Sequence, residues 1–198
     1  MATDLRELTE NLVRFYNFKN KIVVYVGAGG RQLLTPLEGT KKLIAIDQDG
    51  TALKELRQNV AANGWQDSVE VVPSSFEDAA LRGDIVYFEF CLHEMADPGS
   101  ALRHARSLAP DIVVYDHSPD SEWIFYGAEE DKVRNSHAAM ERFGIRRREE
   151  FHAQQRFGDH AELLARVAGQ GELSIQRVGH FAGATNIAIP MDYEVVLL

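Results

Sequence analysis

Apolar residues along the chain fall into two kinds of run that alternate. Short unbroken runs, IVVYV at 22–26 and KLIAID at 42–47, have the length and composition of strands covered on both faces. SVEVVP (68–73), DIVYFEF (84–90) and DIVVYDH (111–117) repeat that character. Between them lie stretches with apolar residues every three or four positions, the period of a helix with one buried face. Leu5, Leu8, Leu12 and Phe15 predict a helix over 4–17, and Ala52, Leu53, Leu56 and Val60 another over 50–62. Asp49 is placed to cap the second helix, and the Asn63-Gly64 pair to stop it. A helix over 97–110 opens on Asp97-Pro98 and closes at Pro110. The stretch 119–157 is polar, aromatic and irregular, with room for one or two short helices. DHAELLARVAGQG (159–171) reads as a helix, and ELSIQRVGHF (172–181) and NIAIPMDYEVVLL (186–198) as two closing strands.

Strands alternating with helices predict an α/β fold: a doubly wound, mostly parallel sheet in a single domain over 1–198. The two closing strands lack the dozen or more residues that a parallel crossover needs, so they are expected to pair antiparallel. The 198 residues, 45% hydrophobic and 26% charged, have the balance of an ordinary globular domain. No apolar run approaches the roughly 20 residues of a membrane span, and the acidic N-terminus is unlike a secretion signal. With the lone Cys91 this points to the cytoplasm. A net charge of −9 argues against nucleic-acid partners. The exception, Arg146, Arg147 and Arg148 followed by two glutamates, reads as a solvated helix face. A homodimer is compatible with all of this.

Candidate chemistry begins where the first strand runs into Gly27, Gly29 and Gly30. Glycines there let backbone approach a ligand closely, and a helix start beyond them offers free N–H groups. Asp47, at the end of the second strand, is placed to accept hydrogen bonds from both ribose hydroxyls of a nucleotide-like cofactor. Both NAD and S-adenosylmethionine carry such a ribose. The dinucleotide fingerprint requires glycine or alanine at its sixth position, where this chain has Gln32, and that disfavours NAD(P).

Four segments resemble the class I S-adenosylmethionine-dependent methyltransferases. They are VYVGAGG, AIDQD, VVPSSFED and, best matched, DIVYFEFCLHEMADPGSALRHARSLAPDIVVYD. The resemblance implies a Rossmann-like, seven-stranded sheet whose final strand is antiparallel. It also implies an additional N-terminal helix over 1–19 and a substrate cap over 119–157. Tyr25 stands where the family has an acidic residue, and Arg31 where it often has a third glycine. Carried over by position, Gly27, Ala28 and Gly29 would line the methionine part of S-adenosylmethionine. Asp47 would hold the ribose, Gln48 would lie against the adenine, and Phe76 and Glu77 would contact its face and amino group. Asp78 competes with Glu77 for that contact. Glu89 would sit near the cofactor's amino group, and Tyr16 would close over it.

Methyl transfer by in-line displacement needs alignment, and a base only when the acceptor carries a firmly held proton. His93 and His117, after the fourth and fifth strands, are the candidate catalytic residues, with Glu94 and Asp116 beside them at the same ends. The two histidines with Asp116 or Glu89 also have the residue types of a metal site. Proton handling without a metal is the preferred reading. Trp123 and Tyr126, with Phe125, form a candidate aromatic wall for a small-molecule acceptor. The expected function is methyl transfer to such an acceptor. The alternatives are an NAD(P)-dependent oxidoreductase and a non-catalytic S-adenosylmethionine-binding regulator.

Overall fold

A computed structural model describes residues 5–28 and 39–198. Helix α1, Leu5–Phe15, leads into β1, Ile22–Val26. Then come β2, Lys42–Asp47; α2, Gly50–Ala62; β3, Val69–Pro73; and β4, Ile85–Glu89. A 3-10 turn at Leu92–Glu94 precedes α3, Pro98–Leu108, and β5, Asp111–His117. Helices α4, Glu122–Gly127, and α5, Glu130–Phe143, lead to β6, Arg147–Asp159. Helices α6, His160–Val167, and α7, Glu172–Val178, precede β7, Thr185–Leu197.

The seven strands form one sheet in the order β3-β2-β1-β4-β5-β7-β6. Strands β1 to β5 run parallel, and β7 lies antiparallel between β5 and β6. Successive side chains of each strand serve opposite faces, so the chain has two cores. On one face Tyr25, Tyr87, Tyr115 and Tyr193 meet α1, α2, α4, α6 and α7. On the other, Val24, Phe88, Val114 and Val196 meet α3 and α5.

The local signals that set the helix starts behave as their chemistry requires. The Asp49 carboxylate accepts from the backbone N–H of Thr51 at 2.8 Å and of Ala52 at 3.3 Å, and that of Asp97 accepts from Ser100 at 2.9 Å.

Two expectations are corrected. Residues 172–181 are helical: α7 followed by a 3-10 turn at Gly179–Phe181. Leu173 and Ile175 alternate like a strand, yet both are exposed, and the buried pair is Ser174 and Val178, four residues apart. The antiparallel partner of β7 is β6, inside the stretch read as irregular. Its apolar positions do alternate, at Phe151, Ala153 and Phe157, but a run of charges hides the period. Arg147 and Arg148 thus lie in a strand, not on a solvated helix face, and Arg148 reaches the fully buried Glu194 at 2.9 Å.

Candidate active site

In a parallel sheet of this kind ligands gather beyond the C-terminal ends of the strands. There the structure has a cavity of about 420 Å³. Gly27 at the end of β1 and Asp47 and Gln48 at the end of β2 line it, as do Phe76 and Glu77 in the loop after β3 and Glu94 in the turn after β4. Sequence reasoning missed Ser74, Ser75, Cys91 and Met95, which also line it. Their types carry no distinctive chemistry, so only their places in the loops could have marked them.

Gly27 is required by its backbone. Its φ is +73°, and a Cβ there would stand 2.7 Å from the Cβ of Cys91 and 2.8 Å from its sulfur. The N–H groups of Gly27 and Ala28 donate to the carbonyl of Ile46, which ties the turn to the end of β2. Asp47 accepts from the N–H of Asp49 at 2.9 Å, so its carboxylate is fixed at the start of α2. Phe76 is buried edge-to-face on Phe88 and His104 and offers the cavity only part of its ring. Glu77 is exposed, whereas Asp78 is engaged by Ser75 at 2.8 Å. Gly29, like Gly30, Arg31 and Gln32 and the helix start expected there, lies outside the described residues.

Glu89 stands below the cavity and is not part of its wall. Tyr25, whose ring stacks on Tyr87, donates a hydrogen bond to one carboxylate oxygen. The other is buried with no partner among the described residues. Burial raises its pKa from 4.5 to about 7, and the Tyr25 hydrogen bond only partly opposes this. Tyr16 is displaced from its expected role altogether. Its hydroxyl donates at 2.5 Å to Asp111, the first residue of β5, and so lies at the opposite edge of the sheet. An amphipathic helix places its aromatic residue where the core needs it, and here that is beside Phe18.

Above β4 and β5 the polar residues converge. Asp116 accepts at 2.5 Å from His93 Nδ1, and its carboxylate also receives the backbone N–H of His93 and of His117. His93 Nε2 faces Glu94 Oε1 at 3.4 Å, and Lys132 of α5 holds the other Glu94 oxygen at 2.7 Å. Burial disfavours charge on His93, but Asp116 and Glu94 outweigh it and raise the pKa from 6.5 to about 10. The hydrogen bond from His93 is the main reason that Glu94 falls to about 2. His93 is therefore protonated at neutral pH and is not poised to take a proton, a correction to its expected role. His117 is the reverse case. Burial lowers its pKa to about 4, so it is neutral, and its Nδ1 is buried without a partner among the described residues. Its ring rests 4.8 Å from that of Phe90, a bulky residue held at φ +44° where β4 ends.

Glu129, just before α5, completes this group and was not anticipated. One ligand atom each from His93, Glu94 and Glu129 lie within 4.8 Å of one another. Only the fold makes Glu129 a neighbour of the turn after β4, so no local pattern marks it. Trp123 and Tyr126 do not form the expected wall. Trp123 is buried against Phe157 of β6, and Tyr126 packs on Phe125, His180 and Phe181, away from the cavity. Both aromatic rings are consumed in fixing α4 to the sheet and to α7.

Residues 24–111 match a family described as "Methyltransferase domain". No curated protein matches the sequence. Among solved structures, a candidate methyltransferase from Bacillus halodurans is 17% identical with a TM-score of 0.71, over 98% of this chain and 97% of that one. A SAM-dependent methyltransferase from Aquifex aeolicus is 18% identical with a TM-score of 0.61, over 98% and 97%. A precorrin 8W decarboxylase from Methanobacterium thermoautotrophicum is 13% identical with a TM-score of 0.62, over 96% and 88%. At such identities the likeness is one of fold, and the third structure carries a different reaction on it.

Proposed function

We propose that the chain is a class I methyltransferase that uses S-adenosylmethionine and methylates a small organic acceptor, a reading supported by the match of residues 24–111 to a methyltransferase domain and by the fold it shares with solved methyltransferases. One observation carries the reading: Glu94 lies both on the wall of the cavity with Gly27 and Asp47 and within the His93–Asp116 group. The cofactor groove and the polar group above β4 and β5 thus share a boundary.

The residues present fit the cofactor. The cavity's volume lies in the range of about 300–1,000 Å³ typical of small-molecule sites. It presents a fixed carboxylate, Asp47, for a ribose, and polar side chains of Ser74, Ser75 and Glu77 across from it. When bound, the cofactor supplies a methyl group on a sulfonium, with neutral sulfur as the leaving group. The chain's part is to hold that methyl group in line with the acceptor and to keep the region above β4 and β5 polar. His93, clamped by Asp116, contributes fixed positive charge and orientation in this reading. Helix α5 borders the acceptor side through Lys132, which holds Glu94, whereas residues 147–157 of the expected cap belong to strand β6.

The test is calorimetric titration with S-adenosylmethionine, its demethylated product and NAD. The first two are expected to bind and NAD is not. Asp47→Ala is expected to weaken binding by about 1–3 kcal/mol, the range for lost hydrogen bonds to a charged group. Binding of NAD alone, or unchanged affinity in the variant, would overturn the reading. Binding without turnover on a panel of small acceptors would favour a regulatory role.

A further inference from the structure

We propose that His93, Glu94 and Glu129 form a site for one first-row divalent cation such as Mn²⁺ or Zn²⁺, at the boundary of the cofactor groove. The donor set is one imidazole and two carboxylates, which suits such ions better than the all-oxygen surroundings preferred by Mg²⁺ or Ca²⁺. The spacing agrees. His93 Nε2 and Glu94 Oε1 are 3.4 Å apart. Two ligands about 2.1 Å from a common ion at a tetrahedral angle stand about 3.4 Å apart. Glu129 completes the triangle at no more than 4.8 Å from either, within reach of a small side-chain movement.

Two of the three, His93 and Glu129, are oriented from behind, as ligands of metal sites are. Asp116 holds His93 Nδ1 at 2.5 Å, which directs Nε2 toward the two glutamates, and the ion takes the place of the Nε2 proton, which leaves to solvent on binding. Gln170 donates to Glu129 Oε1 at 2.9 Å. His117, whose ring centre lies 5.7 Å from that of His93, has a buried Nδ1 with no partner among the described residues. Glu94 is half exposed and opens on the groove, so an ion has a path of entry. Lys132, also half exposed, places its ammonium against the group and competes with an ion for Glu94. If the chain methylates a small acceptor, an ion here stands where it can hold the acceptor's oxygen or nitrogen. That part rests on the proposed function, whereas the site itself does not.

The test uses the untagged full chain, freed of metal with a chelator and without cofactor. Mn²⁺ binding is followed by the electron spin resonance of the free ion, and Zn²⁺ binding by calorimetry. One equivalent is expected to bind. Glu129→Gln, and Asp116→Asn through His93, are each expected to weaken it by at least about tenfold. Lys132→Ala is expected to tighten it, a change that disruption of the fold would not produce. Should Asp116→Asn fail to fold, the other two variants decide the matter. No binding below millimolar concentrations, or binding indifferent to Glu129 and Lys132, would overturn the site. Because the readout is ion affinity alone, its failure is distinct from failure of the methyl-transfer reading.

Discussion

Two residues under the glycine turn have measurable consequences. Gly27 combines a positive φ with Cys91 immediately against it. Gly27→Ala is expected to cost at least about 1–3 kcal/mol in chemical denaturation. Cys91→Ala is not expected to rescue it, because the close contact includes the Cβ that alanine keeps. Glu89 gives a pH signature. Its folded pKa of about 7 lies above the ordinary 4.5, so the folded state holds a proton that the unfolded state has lost. Stability from this group is full below about pH 4.5 and falls away as pH rises through 7, by about 3 kcal/mol in all. Denaturation at pH 5 and pH 8.5 is expected to show a fall that is larger in the wild type than in Glu89→Gln by about 2–3 kcal/mol, with His93, whose pKa is raised to about 10, contributing a further fall to both proteins. The groups around it are Tyr25, Tyr87 and Cys91, all buried or nearly so, with Asp47 beyond them. At this scale the sequence is half legible. Gly27 and Asp47 declare themselves by type and position. The charge state of His93 does not, since it depends on two carboxylates, one of them 23 residues away on another strand.

Among the elements, β6 and β7 are joined by more than their ladder. Arg148 pairs with Glu194 at 2.9 Å and with Glu141 of α5 at 2.7 Å, and His137 also reaches Glu194. Removing one member of a buried pair leaves the other charge without compensation. Arg148→Met is expected to lower the unfolding free energy by about 3 kcal/mol, and Arg148→Met with Glu194→Leu to recover most of it. A double variant as unstable as the single one would show that the arginine stem, and not the ion pair, is what matters. Legibility follows from burial here. Strands β1, β2, β4 and β5 are covered on both faces and read as unbroken apolar runs. Strand β6 is partly exposed and rich in charge, so its period of two is faint, while α7 imitates a strand through two apolar residues that face outward.

At the scale of the whole molecule, the order of strands matters more than their number. The alternating pattern correctly implies a doubly wound sheet with an antiparallel strand, but not which segment lies beside it. That depends on pairing across the helices α6 and α7, where local pattern is silent. The ladder from Arg147↔Leu197 to Asp159↔Thr185 spans β7 from end to end, and β7 pairs with β5 along its other edge. Deleting residues 185–198 is therefore expected to leave a chain digested by protease under conditions in which the full chain resists. Equal resistance would mean that β5 and β6 hold together without β7.

The same placement bears on how the protein is made. On the ribosome, β7 is the last of the seven strands to be synthesised, and it belongs in the interior of the sheet. Until it emerges, the nascent chain presents two open hydrogen-bonding edges, those of β5 and β6, of the kind that chaperones shield and that aggregation exploits. Biogenesis of this fold is thus exposed to any pause in translation downstream of β6.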